Sequence, residues 1–367
     1  MVVSYCLHHA SERGESMDKI TTIAIDLGKR SFDVIGENRR GDEGFSQRLK
    51  SREAFHAYLG TLKPPLVVVM EVGLGAQAWA RVLQERGLTV RLLPAQHVAT
   101  HRSGHKNDRN DARAMLRANR DRSIHPVPVK SVEQLSLQAL HRARRGWMQR
   151  KTALSNQIRG LLLEHGVVIA KGDAKLAERV SSALALASTP LSDRLRPLIA
   201  LLWTDFKAQV AHLEAVEGEL AILARQDPLA RRLDTIPGIG PITATALACK
   251  GIDASTFANS RLFAAYFGCV PKQDSTGGRT ILGRMSRNGD AYIRSMAING
   301  AQAVLRFVRD DDPSVEARRV RRWRDQHGTK GAAVRIANRN FRIVWRIMRD
   351  GVIYQKAAER PSTTPEH

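Results

Sequence analysis

Four carboxylates and one serine stand out as the residues of this 367-residue chain whose types and spacing could do chemistry. Asp26 closes an apolar, β-branched run, Thr21-Thr-Ile-Ala-Ile-Asp26, and Gly28 follows it. Glu71 closes another, Leu66-Val-Val-Val-Met-Glu71, and is followed by Gly73 and Gly75. Asp108 and Asp111 lie three residues apart in Lys106-Asn-Asp-Arg-Asn-Asp-Ala-Arg, a spacing that puts both on one face of a helix. A carboxylate on an apolar strand is costly to bury without a cation, and several together repel unless a cation joins them. Two acids in a first helical turn also suit the positive end of the helix dipole, so Asp108 and Asp111 have a purely structural explanation as well. The second constellation runs from Lys272 to Gly289. It holds Ser275, Ser286, Gly277, Gly278, Arg279, Arg284 and Arg287. Glycines let a backbone approach a phosphate, arginines hold it, and a serine hydroxyl could attack it. As a bare pattern, a Ser-Gly stretch is more often a turn. Ser275, which precedes Thr276-Gly277-Gly278, is the preferred nucleophile, and Ser286 reads as a phosphate contact or turn cap. Asp274 is the one base within the stretch.

Strands must hold the acids in place. Ile23, Ile25 and Leu27 alternate with Thr22, Ala24 and Asp26, the period of a strand. Asp33-Val-Ile-Gly continues a hairpin, and Gly44 to Leu49 makes a third strand. Ser51 caps a helix over Arg52 to Leu62, which Pro64-Pro65 stops. Leu66 to Glu71 reads as a buried central strand. A helix over Ala76 to Arg86 and a strand over Thr89 to Leu93 complete a strand–helix alternation, in which sites gather at the carboxyl ends of strands. His97, His101 and His105 are spaced by four. A polar or phosphate-contacting helix face explains them better than metal binding does.

After Val132 the strand signals vanish. Runs over Val132–His165, Ala174–Ala187 and Leu191–Arg225, with apolar residues at helical spacing, predict an antiparallel, coiled-coil-like arm. Arg142, Arg144 and Arg145 give it a side that could face nucleic acid, although a structural spacer is the plainer reading. Pro228 breaks the run. Ile236-Pro-Gly238-Ile-Gly240-Pro241 then opens a helix and resembles a helix–hairpin–helix element, whose backbone N–H groups bind phosphates. A plain helix–helix turn would look similar. Phe263 to Pro271 is a helix running into a stop, Lys272 to Gly289 a loop, and Asp290 to Phe307 a helix. Arg318 to Arg324, with Arg321 inside it, is a basic run, and Asn338 to Tyr354 an amphipathic closing helix.

Lys and Arg number 58 against 36 Asp and Glu, a net charge of +22. That excess points to a polyanionic partner, most plausibly nucleic acid. Three cysteines with no close pairing argue against a disulfide framework and fit a reducing cytoplasm. No apolar run approaches the roughly 18 residues of a membrane span. The expected organisation is a disordered leader over 1–17, an α/β domain over 18–130, the arm over 131–228, a mostly helical domain over 229–356 and a disordered tail over 357–367.

Taken in order, Ile-Asp26-Leu-Gly, Val-Met-Glu71 and Lys-Asn-Asp108-x-x-Asp111-Ala resemble the RuvC-like (RNase H-like) domain of the DEDD insertion-sequence transposases. Ile-Pro-Gly-Ile-Gly-Pro, Phe-Gly-Cys-Val-Pro-Lys-Gln-Asp-Ser275-Thr-Gly-Gly, Arg284 and Asn288-Gly289 resemble their C-terminal serine transposase domain. The resemblance covers about residues 20–355 and implies an RNA-guided DNA recombinase. Asp26, Glu71, Asp108 and Asp111 would hold Mg²⁺, and Ser275, at the family's serine position, would form a covalent phosphoserine link to DNA. A bridge or seeker RNA would pair with donor and target DNA. The active site would be composite, in a homodimer or homotetramer associated with the bacterial nucleoid. Hard Mg²⁺ suits an all-oxygen set, and leaving sequence reading to base pairing suits a basic protein with few base-reading modules.

Three rivals remain at this level. A RuvC-like metal nuclease resolving branched DNA by hydrolysis would not need Ser275. An actin-like kinase can also open with Ile-Asp-Leu-Gly, but the charge and the missing phosphate loops speak against it. A non-enzymatic RNA-binding protein would keep the fold alone.

Overall fold

A computed structural model describes residues 20–103, 108–186, 191–276 and 279–355. The leader, the tail, His105, Gly277 and Gly278 fall outside the described residues. The chain divides after Val132 into two compact units.

The first unit is built on a five-stranded sheet in the order β3-β2-β1-β4-β5. Strands β1 (Ile20–Leu27), β2 (Phe32–Asn38) and β3 (Glu43–Leu49) form an antiparallel meander. Helix α1 (Arg52–Thr61) then crosses over, so that β4 (Val67–Glu71) pairs parallel to β1. Helix α2 (Ala76–Glu85) makes the next crossover, to β5 (Thr89–Leu93), again parallel. Ser51 caps α1 as expected, its hydroxyl accepting from the Ala54 N–H at 3.1 Å.

Alternation along the strands gives the sheet two apolar faces. Ile23, Ile25, Val34, Val68 and Met70 pack with Phe55, Leu59, Ala80 and Leu83 of α1 and α2. Ala24, Ile35, Val69 and Leu93 pack on the other side, with Val98 of α3 (Ala95–Thr100) and Ala112, Met115 and Leu116 of α4 (Asp108–Arg120).

The second unit is mostly helical. Helix α5 (Val132–Glu164) and helix α7 (Leu195–Gln226) run antiparallel: Leu137 packs near Val216 and Leu220, whereas Ile158 and Leu162 pack near Ile199 and Phe206. Helix α6 (Asp173–Ala185) adds Leu176 and Val180 to that far end. At 1.5 Å per residue the pair reaches about 50 Å.

Beyond it, α8 (Pro228–Asp234), α9 (Pro241–Ala248), α10 (Ser260–Tyr266), α11 (Ala291–Phe307) and α12 (Val315–Asp350) close a core around Phe263, Phe267, Phe341 and Trp345. Phe267 and Phe341 stack with centroids 4.5 Å apart.

Two expectations are corrected here. The stretch 272–289 is no loop: Pro271–Thr276 (β6) and Arg279–Met285 (β7) pair as an antiparallel hairpin. Its strands are exposed, so burial imposes no apolar alternation that could have revealed them. The basic run at Arg318–Arg324 and the closing helix are parts of one long element, α12, bent at Gly328. Gly328 has φ +65°, a conformation other residues adopt only under strain.

Candidate active site

Register places the acids of the first unit. Ile25 pairs with Met70, so Asp26 and Glu71 follow side by side on neighbouring parallel strands. Each is two residues beyond a member of the face that α4 covers, Ala24 for Asp26 and Val69 for Glu71. Both acids are half-buried. Across β2, Asp33 is the partner of Asp26, and it continues the same face, being two residues before Ile35.

Asp33 was missed in the sequence. Its signal, an acid two positions from a core isoleucine on a strand, was present, but the run was read only as the continuing strand of a hairpin. Asp33 is 8% exposed, and the Arg48 guanidinium comes to 3.6 Å from its carboxylate. Three carboxylates thus cross adjacent strands on one face.

Helix α4 lies over that face and is clamped to it. Arg113 forks onto Glu43 of β3 at 2.8 and 3.0 Å, and Arg120 pairs with the buried Glu37 of β2. The Arg113 hydrogen bond, with Arg109 beyond it, holds the Glu43 carboxyl below its ordinary range despite partial burial. Asp111 stands in the first turn of α4, and Arg102 pairs with it. Asp108 begins the helix, and its side chain lies outside the described residues. His97 and His101 fall on and just after α3, with the His101 ring bonded to the His97 carbonyl. Among the described residues, no three His, Cys, Asp or Glu side chains gather into a group that could hold a metal ion. The donor chemistry nonetheless fits one: acids on adjacent strand ends, and a helical acid that already takes a cation, Arg102.

The second constellation is the hairpin. Ser275 is exposed on β6, and Gln273, two residues earlier on the same strand face, donates Nε2–H to Ser275 Oγ at 2.8 Å. Asp274 is adjacent in sequence, so strand alternation turns it to the opposite face and away from the serine. Arg279, Arg284 and Arg287 are exposed. Ser286 differs: its hydroxyl is buried and has no hydrogen-bond partner among the described residues.

The base of the hairpin is locked. Buried Arg294 donates from Nη1 to the carbonyls of Phe267 (3.1 Å) and Asn288 (2.6 Å), and Asn338 donates to that of Cys269 at 2.9 Å. At Gly289, φ is +72° and a Cβ would lie 1.9 Å from the Tyr266 carbonyl oxygen, so only glycine fits. Gln273 lay within a quoted motif but was given no role, and Arg294 carried no motif, because their roles come from pairings set by the folded chain.

The Pro-Gly-Ile-Gly turn joins α8 to α9. Gly238 sits at φ +86° with its backbone against Gly300 of α11, where a Cβ on Gly300 would be 1.9 Å from the Gly238 carbonyl oxygen. A Cβ on Gly240, by contrast, would meet nothing within 4 Å. Gly240, Thr243, Arg144 and Arg145 line a hollow of about 930 Å³ in front of the turn. Arg142 and Arg145 are exposed. Arg321 is committed elsewhere, donating to the Arg309 carbonyl at 2.7 Å, and Arg318 and Arg324 likewise tie down the turn before α12.

Beneath this surface His141 of α5 is buried, its ring between Tyr292 Oη and Thr245 Oγ1, both at 3.1 Å. Burial, with Arg144 and Lys250 nearby, pushes its pKa down to about 4 and keeps it neutral.

A mixed α/β sheet with acids at its strand ends, followed by a mostly helical region, fits a DEDD transposase. Two family models match the chain. One, a transposase model of the DEDD IS110 type, covers residues 23–166, and the other, the transposase IS116/IS110/IS902 family, covers residues 230–317. A probable family 20 transposase of Pseudomonas aeruginosa is 35% identical over 92% of this chain and 99% of its own length. The transposase for insertion sequence element IS1111A of Coxiella burnetii is 32% identical over 92% of both chains. That for IS1328 of Yersinia enterocolitica is 32% identical over 93% of this chain and all of its own. The chain belongs to the IS110 (IS116/IS110/IS902) family of transposases and is a DNA transposase. Its family implies a divalent metal. No helix among the described residues is long and apolar enough to cross a membrane.

Proposed function

We propose that this transposase cuts and rejoins DNA through a phosphoserine link at Ser275, under the guidance of a structured RNA. The observation that carries this is Ser275 itself. It is exposed on a ribbon rimmed by Arg279, Arg284 and Arg287, and its oxygen already accepts from Gln273. That bond occupies one lone pair and leaves the hydroxyl hydrogen to be given up. Ser275 Oγ attacks the phosphorus of a DNA phosphodiester. The Oγ–P bond forms, the bond to one deoxyribose oxygen breaks, and that oxygen takes up a proton. A hydroxyl end of another strand reverses the step and rejoins the DNA, so no bond energy is lost to hydrolysis.

The burial of Ser286 Oγ supports the choice of Ser275. Asp274 faces away, so the acceptor for the serine proton comes from outside the hairpin, and in a composite oligomeric site a partner subunit's acids would supply it. Asp26, Glu71, Asp108 and Asp111 would hold the divalent ion, taken as Mg²⁺. Such an ion stabilises charge developing on phosphate oxygens.

The net charge of +22 leaves basic surface for an RNA partner beside DNA. The α8–α9 turn, open at Gly240 and facing a hollow that Arg145 lines, suits a phosphate backbone.

The test is to trap the protein–DNA adduct on a nicked substrate and map the modified peptide. The expected adduct is on Ser275 and is lost in Ser275→Ala. An adduct on Ser286 overturns the choice of Ser275, and strand cleavage that persists in Ser275→Ala without any adduct overturns the reading and favours a hydrolytic nuclease.

A further inference from the structure

The second unit carries a groove that the proposed chemistry does not use. It has a volume of about 1340 Å³ and lies between the two halves of α12, against the base of the hairpin. The bend at Gly328 creates it: Arg319 and Trp323 come from the half before the bend, Arg335, Arg342 and Arg346 from the half after. With Arg339, five arginines line the groove, and among the described residues no carboxylate does. Three of them are paired: Arg339 with Glu316, Arg319 with the same carboxylate at 3.9 Å, and Arg346 with Asp350 at 3.5 Å. Arg335 and Arg342 are exposed, and among the described residues no carboxylate pairs with either. Arg335, Arg339, Arg342 and Arg346 recur at helical spacing, so they form one row along a single face of α12. The groove is not merely a charged rim. Trp323, Tyr354, Ile343 and Ile347 line it too.

We propose that this groove binds a single strand of DNA, with its phosphates on Arg335 and Arg342 and its bases against the aromatic and apolar lining. The pairing of the two surfaces decides the ligand. A duplex presents only phosphates and groove edges and leaves an apolar floor wet. A free anion needs no floor at all. An unpaired strand has both a charged backbone and π-faces, and aromatic side chains in a basic groove are the usual platform for it.

DNA is the occupant because the groove ends at the hairpin. Val270, Pro271 and Met285 line its rim, and Pro271 is the first residue of the strand that carries Ser275. A strand lying in the groove is therefore delivered toward that hairpin. The choice of DNA over RNA and this direction rest on the role proposed for Ser275; the binding of a single strand does not.

The test uses the full chain and fluorescence anisotropy with labelled 20-mers of single-stranded DNA, the same sequence as RNA, and duplex DNA. Arg335→Ala combined with Arg342→Ala is compared with a charge-matched control, Arg179→Ala with Arg225→Ala, exposed on α6 and α7. The groove pair is expected to weaken single-stranded DNA binding by about tenfold to hundredfold. It should also flatten the log–log salt slope by roughly 1.4, at about 0.7 per lost single-strand phosphate contact. The control should change neither by more than a small factor. A loss equal to that of the control, or one as large for RNA or for the duplex, overturns the proposal. Loss of strand binding with a normal Ser275 adduct on a pre-nicked substrate leaves the groove standing and cuts only its link to the hairpin. Normal strand binding by the groove pair sinks the groove and leaves the serine untouched.

Discussion

The carboxylate face of the first unit and the serine hairpin of the second are built on opposite terms. Asp26, Asp33 and Glu71 ride on strands whose neighbours are buried on both faces, and helix α4 is clamped over them by Arg113 and Arg120. Nothing there can shift without disturbing two cores. Ser275 rides on a two-stranded ribbon with exposed strands, fixed only at its base by Arg294, Asn338 and Gly289. A cation held by several oxygens needs donors fixed in advance, because like charges separate if the frame allows it. A nucleophile that must meet a strand of DNA needs reach, with rigidity only where it is anchored. Under the proposed function, one chain would divide its reaction between a stiff, two-sided core and an exposed ribbon.

The contrast breaks first at Asp26. Asp26→Asn keeps the shape and removes the charge. If the stiff face holds the metal, strand exchange should fall by about a thousandfold or more, several kcal/mol of lost charge stabilisation, while thermal unfolding of the first unit stays unchanged or rises. An Asp26→Asn variant that recombines normally would remove the face from the chemistry.

The second effect concerns the ground on which the hairpin's unit stands. His141 has a folded pKa of about 4, below the ordinary 6.5. Between those values the unfolded chain binds the extra proton, so stability is complete above about pH 6.5 and drains as pH falls toward 4. The loss is on the order of 3 kcal/mol for this group. Denaturant unfolding of the second unit at pH 7 and pH 4.5 should show it, and His141→Gln should show a shallower slope. Equal pH slopes in the two proteins would mean that the histidine is not buried neutral.

Third, Gly289→Ala forces a Cβ into the Tyr266 carbonyl at a left-handed φ. It should cost about 2–3 kcal/mol and lower Ser275 adduct yield, while leaving the first unit's transition in place. Stability and adduct yield that both match the parent would show that the hairpin does not depend on its lock. The smallest effect is the local one: Ser51→Ala loses one cap and about 1 kcal/mol, confined to the first unit's melting, with adduct formation on a pre-nicked substrate unaffected.

What could be read from the sequence was whatever local physics writes into neighbouring residues. β1, β4 and β5 were legible to within a residue or two because strand period and burial coincide there, and α1 because Ser51 caps it and the Pro64-Pro65 step follows. Asp26 and Glu71 stood out because an acid ending an apolar run conflicts with its surroundings. The long helices after Val132 were legible from their spacing. The hairpin was not, since exposed strands of Lys, Gln, Ser and Arg carry no alternation.

The rest was decided by long-range pairing, which leaves no local mark. Asp33 became part of the carboxylate face only through the register of β1 on β2. Gln273 came to hold Ser275, and Asp274 to turn away, only once the segment was a strand. His141 owes its neutrality to burial beside Arg144 and Lys250, and its ring is held by Thr245 and Tyr292, more than a hundred residues distant along the chain. The groove on α12 exists because one glycine bends a helix and brings two basic segments around a shared apolar floor. Composition and period are properties of neighbours in sequence and so can be read there; burial, register and the company a charge keeps are properties of neighbours in space, which only the closed fold supplies.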